Sequence, residues 1–462
     1  MTLITSISGI RGTIGGRPGE ALTPLDLVKF SAAFAAWVRS RHTGPGKAKI
    51  VLGRDARISG PMVHHLVTGT LHASGVDVLD LGLSTTPTVE VAVVDRKCQA
   101  GIILTASHNP TQWNALKLLN EKGEFISAAD GKKLMQLINS ESYEFCEVED
   151  LGQTTLEEEG IQRHIELVLQ CEGVDVKAIA AANLKVAVDA VNSTGGLSIP
   201  PLLKALGVKE VIELYCEPNG RFPHNPEPLP ENLTEISALV KKEKAHLGIV
   251  VDPDVDRLAL VCEDGSMFGE EYTLVAVADH VLSYRPGPTV SNLSSSRALR
   301  DVTLKHGQEY HASAVGEVNV VEKMKEVKAS IGGEGNGGII DPALHYGRDA
   351  ILGAALFLTH YVKKGMSMSA LKASYPAYSM SKNKIQLSPE VDVDALLKSV
   401  EASFAGEEIS TVDGVKIDFK EGWVHLRKSN TEPIIRVYSE AQDQAQAEAL
   451  AARIMDQVKA MV

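Results

Sequence analysis

The feature that most constrains this chain is a recurring order of short apolar run, polar loop and helical pattern. "KIVLGRD" (49–55) reads as a strand running into a loop. "GPMVHHLVTGTLHASG" (60–75) reads as a helix ending at glycine, and "VDVLDLGL" (76–83) and "CQAGIILTASHNP" (98–110) as further strands. A second block repeats the plan from "LKVAVDAVNSTGG" (184–196) to "HLGIVVDPDVDR" (246–257). A third starts near "LALVCEDG" (258–265) and runs to "LFLTHYVKKG" (356–365). Strand–helix–strand order at this spacing predicts parallel sheets, because parallel neighbours need a crossover that a tight turn cannot supply. Beyond residue 373, "VKIDFKEGWVHLRKSNTEPIIRVYSEA" reads as paired strands, followed by a C-terminal helix.

The 462 residues suit three or four domains at ~100–200 residues each. The pattern places them at 1–153, 154–255, 256–372 and 373–462, with the acidic stretch 139–160 as a connector or a surface hairpin. The net charge is −13, no basic block occurs and aromatics make up 5%. Neither a nucleic acid nor a membrane is therefore expected as a partner. Cys98, Cys146, Cys171, Cys216 and Cys262 are scattered without CxxC spacing, as in a reducing compartment. With no apolar run near ~18 residues and no basic-then-apolar leader, the expected location is cytoplasmic.

Four stretches carry candidate chemistry. "TASHNP" (105–110) ends a buried strand in polar residues, and reactive groups in open α/β sheets gather at strand carboxyl ends. Ser107 is there either a nucleophile or phosphate carrier, or a turn residue before Pro110. Lys117 follows as a proton shuttle, a phosphate contact or a solvated lysine. "DPDVDR" sets Asp252, Asp254 and Asp256 at alternate positions, which on extended chain point the same way. Converging carboxylates call for a hard cation, and oxygen-only ligands select Mg²⁺ or Ca²⁺. The spacing imitates an EF-hand, but Arg257 stands where that loop needs glycine. Arg257 can instead pair with a carboxylate or touch phosphate.

"GGEGNGG" (332–338) matches a dinucleotide glycine pattern but opens no helix, since "IIDPALHYG" follows. It reads as a loop offering Glu334 and Asn336 to sugar hydroxyls, or as a plain turn. "RKSNTEPIIR" (427–436) places Arg427, Ser429, Asn430, Thr431 and Arg436 around a turn, a phosphate cradle or a surface hairpin. "SISGIRGT" and "GRDARISG" each put arginine beside glycine, and Arg11 is the better placed of these to reach phosphate.

In order, "GIRG", "GRDARISG", "TASHNPTQWNALK", "DPDVDR", "GEGNGG" and "RKSNTEPIIRVYSE" resemble the α-D-phosphohexomutase family over essentially the whole chain. The resemblance implies an α/β fold of four domains around a central cleft. Three are related mixed α/β domains, and the fourth is a smaller α+β domain like the TATA-box-binding protein. It implies that Ser107 is the phosphoserine and that Asp252, Asp254 and Asp256 bind one Mg²⁺ with a phosphoserine oxygen. Glu334 and Asn336 become the sugar loop, and Arg427 to Arg436 the distal phosphate loop. Arg11 and Lys117 handle a proton or stabilise the phosphoryl, and His108 neighbours the serine.

The implied reaction moves phosphate between O6 and O1 of a hexosamine or hexose phosphate, through phosphoserine and a bound 1,6-bisphosphate that also serves as primer. Asn336 stands where serine is frequent, Gly338 where many members carry histidine, and Val318 where a basic residue is common. "GEGNGG" with "LHYGRDA" is similar to bacterial phosphoglucosamine mutases, so the expected substrate is glucosamine-6-phosphate. Phosphoglucomutase or phosphomannomutase activity is the alternative. A sugar phosphatase and a sugar-phosphate-binding regulator are the rivals from other classes. The expected state is a monomer or homodimer.

Overall fold

A strand forms where an apolar run is buried on both faces, and "AGIIL" does so along its whole length. The computed structural model describes residues 2–6, 9–388, 390–428 and 434–460. They fall into two compact units, Met1–Thr273 with Asn336–Ser369, and Leu274–Gly335 with Ala370–Val462.

The first unit holds two sheets. The larger contains β1 (Ile4–Ser6), β2 (Gly9–Thr13), β3 (Lys49–Arg54), β4 (Asp77–Leu83), β5 (Ala100–Leu104), β6 (Trp113–Leu119) and β7 (Thr154–Leu156). Their order is β1-β2-β6-β5-β3-β4-β7. Helix-connected β3, β4 and β5 run parallel, whereas β6 returns antiparallel beside β5. The loop between β5 and β6 is too short for a crossover helix, so this sheet is mixed rather than purely parallel. β7 lies in the stretch read as a connector or hairpin, yet it joins the sheet as a parallel edge strand on β4. The core includes Ile50, Leu52, Ile102 and Leu104 against Leu27, Phe34 and Trp37 of the helix Pro24–Arg41.

The second sheet contains β8 (Lys185–Asp189), β9 (Glu210–Leu214), β10 (Leu247–Val251) and β11 (Leu258–Cys262), ordered β11-β10-β8-β9. The sequence pattern set "LALVC" at the head of the third block. It instead forms β11, antiparallel to β10 from Leu247↔Cys262 to Val251↔Leu258. The loop Asp252–Arg257 is thus a hairpin connection, and it aims its side chains from the carboxyl end of β10. Phe268 and Phe357 meet edge to face at 5.3 Å, fully buried in the same unit.

The second unit contains parallel β12 (Thr289–Asn292), β13 (Tyr310–Ser313) and β14 (Ile331–Glu334), with β12 between the other two. Its other sheet is antiparallel, with β16 (Ser379–Gln386), β17 (Glu408–Ser410), β18 (Val415–Asp418), β19 (Gly422–Lys428) and β20 (Ile434–Ala441) in the order β16-β20-β19-β18-β17. (β15, Gly338–Ile340, belongs to the first unit.) The helices Val393–Ser403 and Gln444–Ala460 share a core with this sheet through Leu397, Val400, Ile454 and Val458. Arg297 opens the helix Arg297–Lys305 that follows β12 and ties it to the antiparallel sheet. Its Nη2 donates to Asp418 Oδ1 at 2.7 Å and to the carbonyls of Phe419 and Gly422 at 2.9 Å.

Among the described residues no helix is long and apolar enough to cross a membrane. All five cysteines are free thiols. Truncating Phe357 to alanine removes the edge-to-face partner of Phe268 and leaves a cavity. We expect a loss of about 3–5 kcal/mol, measured as a lower denaturant midpoint of the first unit.

Candidate active site

Ser107 lies just past the end of β5 in a left-handed backbone conformation, φ +49°. A non-glycine residue there is strained unless its surroundings hold it. The surroundings do. Its N–H donates to Thr105 Oγ1 at 2.9 Å, and Thr105 Oγ1 donates to Asp55 Oδ2 at 2.6 Å. Asp55 also accepts from Arg57 Nε at 2.9 Å and from the Arg57 N–H at 3.0 Å, and both side chains are fully buried. The Arg57 guanidinium then donates to the carbonyls of Pro110 (2.7 Å), Trp113 (3.1 Å) and Asn109 (2.7 Å), and to that of Ser107. One arginine thus cross-braces the whole serine loop. Burial pushes the Asp55 carboxyl up, opposed first by the charge of Arg57.

Ser107 Oγ donates to Asp252 Oδ2 at 2.7 Å. The carboxylates of Asp252, Asp254 and Asp256 are fully buried, and they bring one oxygen each within 4.8 Å of the others. They do not converge by alternation on extended chain, as the spacing suggested. The loop turns sharply, with Val255 at φ +65°, and Asp252 Oδ1 accepts from the N–H groups of Asp256 and Arg257, both at 3.1 Å. Neighbouring segments grip the loop's carbonyls. Ser193 and Thr194 hydroxyls donate to Pro253 O at 2.7 and 2.8 Å. The first N–H of the helix Thr86–Asp95 donates to Asp254 O at 2.9 Å, and that of the helix Ala350–Lys364 donates to Val255 O at 3.1 Å. These are groups that a helix start leaves without an intrahelical partner.

The charge is balanced on one side only. Asp254 Oδ2 accepts from Thr86 Oγ1 and from Lys117 Nζ at 2.6 Å. Asp256 Oδ2 accepts from Lys117 Nζ at 3.0 Å and Arg348 Nη2 at 2.7 Å. Asp254 Oδ1 and Asp256 Oδ1 are buried without a hydrogen-bond partner among the described residues. Burial, then the charges of Asp256 and Asp254, push the Asp252 carboxyl well up. Three clustered carboxylates, two of them with an oxygen unsatisfied among the described residues, fit a hard divalent cation.

Burial works to lower the Lys117 ammonium, but Asp254 and Asp256 outweigh it and hold the amine protonated. Burial and the charge of Arg257 push the His108 imidazole down to about 2. Neither group is a ready proton acceptor, and Lys117 is arranged to stabilise charge. Arg257 Nη1 lies 3.7 Å from Glu227 Oε1, and its Nε lies 4.0 Å from Asp256 Oδ1. Arg11 is exposed on β2, opposite Ala115 of β6, the strand that carries Lys117.

In the second unit, Glu334 ends β14 and its Oε1 accepts from Asn292 Nδ2 at 2.9 Å and from the Gly316 N–H at 3.2 Å. Asn336 belongs to the first unit, where its Oδ1 accepts from the Gly338 N–H at 3.2 Å. Arg427 and Arg436 are direct cross-strand partners on β19 and β20, and Lys384 of β16 faces Arg436 in the same way. Like charges directly opposite one another repel, so this row of cations suits an anion. Arg427 Nε is paired to Asp413 Oδ2 at 2.8 Å. Ser429, Asn430 and Thr431 lie outside the described residues.

The structure therefore gathers Ser107, Lys117, the aspartates and Arg257 in one unit. It adds Asp55, Arg57, Thr86 and Arg348. The stretches "GRDARISG" and "LHYGRDA" contain Arg57 and Arg348 without marking what either one holds, and no stretch singled out Thr86.

The chain matches four family descriptions in order. They are phosphoglucomutase/phosphomannomutase alpha/beta/alpha domain I at residues 3–145, domain II at 162–265, domain III at 269–378 and the C-terminal domain at 383–457. It is 34% identical over 442 residues to a phosphoglucomutase/phosphomannomutase from Thermococcus kodakarensis, covering 94% of this chain and 95% of that protein. It is 31% identical to a phosphoglucosamine/phosphogalactosamine mutase from Sulfurisphaera tokodaii, covering 94% of each. A crystal structure of a phosphoglucomutase/phosphomannomutase family protein from Burkholderia thailandensis superimposes with a TM-score of 0.82 at 27% identity, covering 99% of this chain and 98% of that one.

Replacing Arg57 by alanine leaves Asp55 buried and uncompensated and four loop carbonyls without their donor. A stability loss of about 3–5 kcal/mol is expected. Arg57→Lys, which keeps the charge but not the planar fork, should retain more stability while still loosening the loop. Thermal unfolding of the two variants, with limited proteolysis across residues 105–113, measures both effects.

Proposed function

The chain belongs to the phosphoglucomutase/phosphomannomutase family, and from that premise we propose that it is a phosphohexomutase acting on glucosamine phosphates, with Ser107 as phosphate carrier. Family membership makes it an intramolecular phosphotransferase. The observation that carries the proposal is the contact of Ser107 Oγ with Asp252 inside a buried three-carboxylate cluster. A phosphoryl group on Ser107 would add about −1.5 to −2 charge next to Asp252. Such a group is tolerable there only with a cation between the two.

Asp252, Asp254 and Asp256, with an oxygen on Ser107, are the residues that would hold Mg²⁺. When bound, the ion supplies charge neutralisation of the transferring phosphoryl. The strained loop presents Ser107, and Arg57 keeps it from relaxing. In the first transfer the Ser107 O–P bond breaks as a free sugar hydroxyl forms its own bond to phosphorus, and the proton of that hydroxyl ends on the released Ser107 Oγ. The resulting 1,6-bisphosphate then reorients. In the second transfer Ser107 Oγ bonds to the other phosphoryl group as its bond to the sugar oxygen breaks, and the serine proton passes to that oxygen, leaving the isomerised monophosphate. Lys117 and Arg348 stay cationic throughout and steady the carboxylates around the moving charge. The cation row Lys384, Arg436 and Arg427 is suited to whichever phosphate is not reacting.

Two buried carboxylates in the second unit, Glu334 and Glu317, support an amino-sugar substrate, since an ammonium would offset their charge. The name of the Sulfurisphaera relative supports the same choice, while that of the Thermococcus relative supports the neutral-sugar alternative. A cytoplasmic setting fits the five free thiols.

Intact-protein mass should show one phosphate on the purified enzyme, absent together with turnover in Ser107→Ala. Full mutase turnover by Ser107→Ala would overturn the carrier assignment. The value of kcat/KM should be at least about tenfold higher for glucosamine-6-phosphate than for glucose-6- or mannose-6-phosphate, because only the amino sugar brings an ammonium to offset the charge of the buried Glu334 and Glu317 carboxylates. A preference for either neutral sugar would overturn the substrate choice.

A further inference from the structure

The first unit buries a second polar cluster, formed by His164, His345 and Asp349. Asp349 Oδ2 lies 2.9 Å from His164 Nε2 and 3.2 Å from His345 Nε2. Its Oδ1 caps the helix Ala350–Lys364 by accepting from the N–H groups of Ile351 and Leu352 at 2.8 and 3.1 Å. Thr85 Oγ1 donates to Thr88 Oγ1 at 2.7 Å, which leaves the Thr88 proton for His164 Nδ1 at 3.1 Å. His164 Nε2 therefore carries hydrogen and donates to Asp349. His345 Nδ1 lies 3.4 Å from Glu90 Oε2. Burial works to raise the Asp349 carboxyl, and the two imidazoles outweigh it and hold it ionised. The members come from three of the four family domains: Thr85, Thr88 and Glu90 from the first, His164 from the second, and His345 with Asp349 from the third.

The cluster sits one residue from the carboxylate loop on either side of Asp349. The preceding residue, Arg348, holds Asp256 Oδ2 at 2.7 Å, and the following peptide N–H, of Ala350, holds Val255 O at 3.1 Å. The helix that carries Thr88 and Glu90 starts at Thr86, which grips Asp254 through both its N–H and its hydroxyl. Arg348 reaches Asp256 across Gly338, where a Cβ would stand 2.3 Å from Arg348 Cδ and 3.0 Å from its Cγ.

We propose that the Asp349–His164–His345 cluster is a positioning device that fixes the start of its helix so that Arg348, lying over Gly338, holds the carboxylate of Asp256 in register for metal binding. The proposal rests on the reading of Asp252, Asp254 and Asp256 as metal ligands. Both nitrogens of His164 and both oxygens of Asp349 already have protein partners, so the cluster needs no ion of its own.

The test uses the full-length protein with Mn²⁺ as the probe metal, its binding followed by electron paramagnetic resonance. His164→Ala and Gly338→Ala leave every charge at the carboxylate loop in place, so a change in affinity reports geometry rather than net charge. Each should weaken Mn²⁺ binding about tenfold, as loss of outer-shell support does. His164→Gln, whose amide nitrogen can replace Nε2 as donor to Asp349, should recover most of that loss. In His164→Ala, kcat should fall by a similar factor while KM for the sugar phosphate changes less than about twofold, a split that general unfolding would not produce.

Wild-type affinity in both His164→Ala and Gly338→Ala would overturn the proposal while leaving the metal reading intact. If His164→Ala does not fold, wild-type affinity in Gly338→Ala alone overturns it. A wild-type enzyme that binds no Mn²⁺ would overturn the metal reading and this inference together. Zinc present in the purified enzyme and lost on His164→Ala would replace the hydrogen-bonded account with a structural metal site.

Discussion

Three carboxylates buried within a six-residue hairpin loop repel one another, and much of the first unit is organised around that repulsion. In a medium of low polarizability it is too large to leave unanswered. Lys117 and Arg348 neutralise one edge of the cluster, and Thr86 adds a hydroxyl. Two helix starts and two hydroxyls hold the loop's carbonyls, so the backbone cannot relax to separate the charges. What remains is a face of unsatisfied oxygens beside Ser107. A cation is the natural complement to that face, and a phosphorylated serine would make the need greater.

The serine is held by a different principle. Its backbone is strained at Ser107. Order comes from one fully buried guanidinium that spends its donors on four loop carbonyls and one aspartate. Arginine alone among side chains offers five donors in a fixed plane, which is why one residue can brace so many acceptors. The second unit presents the opposite charge problem. Lys384, Arg436 and Arg427 lie in register across three strands, relieved in part by Asp413. Taken separately, the first unit leaves two buried carboxylate oxygens unsatisfied among the described residues, and the second sets three cations side by side on its strands. A metal ion and a phosphate are the simplest pair that meets both needs.

Much of this was legible in the sequence. The strands ending at Leu104 and Val251 announce themselves as apolar runs cut off by polar loops, and the pattern is local. The four-domain α/β plan follows from the same signals repeated, and the families matched along the chain agree with it. "TASHNP" and "DPDVDR" named the serine and the aspartates because their chemistry sits within a few residues. Topology was less legible where connection length decides it. "LALVC" looked like the start of a new block, but the loop before it spans only a hairpin, so it pairs back onto β10. β7 was hidden because an exposed three-residue edge strand leaves almost no apolar periodicity to read.

The sequence by itself determined which residue types could carry phosphate and metal, because those motifs are compact and their side-chain chemistry is intrinsic. Only the tertiary structure decided how they are held. Arg57 lies fifty residues from Ser107, Lys117 meets Asp254 from another sheet, and Arg348 reaches Asp256 over a glycine whose meaning was opaque in one dimension. Hydrogen bonds act over about 3 Å regardless of chain separation, so such partners become visible only when folding brings them together.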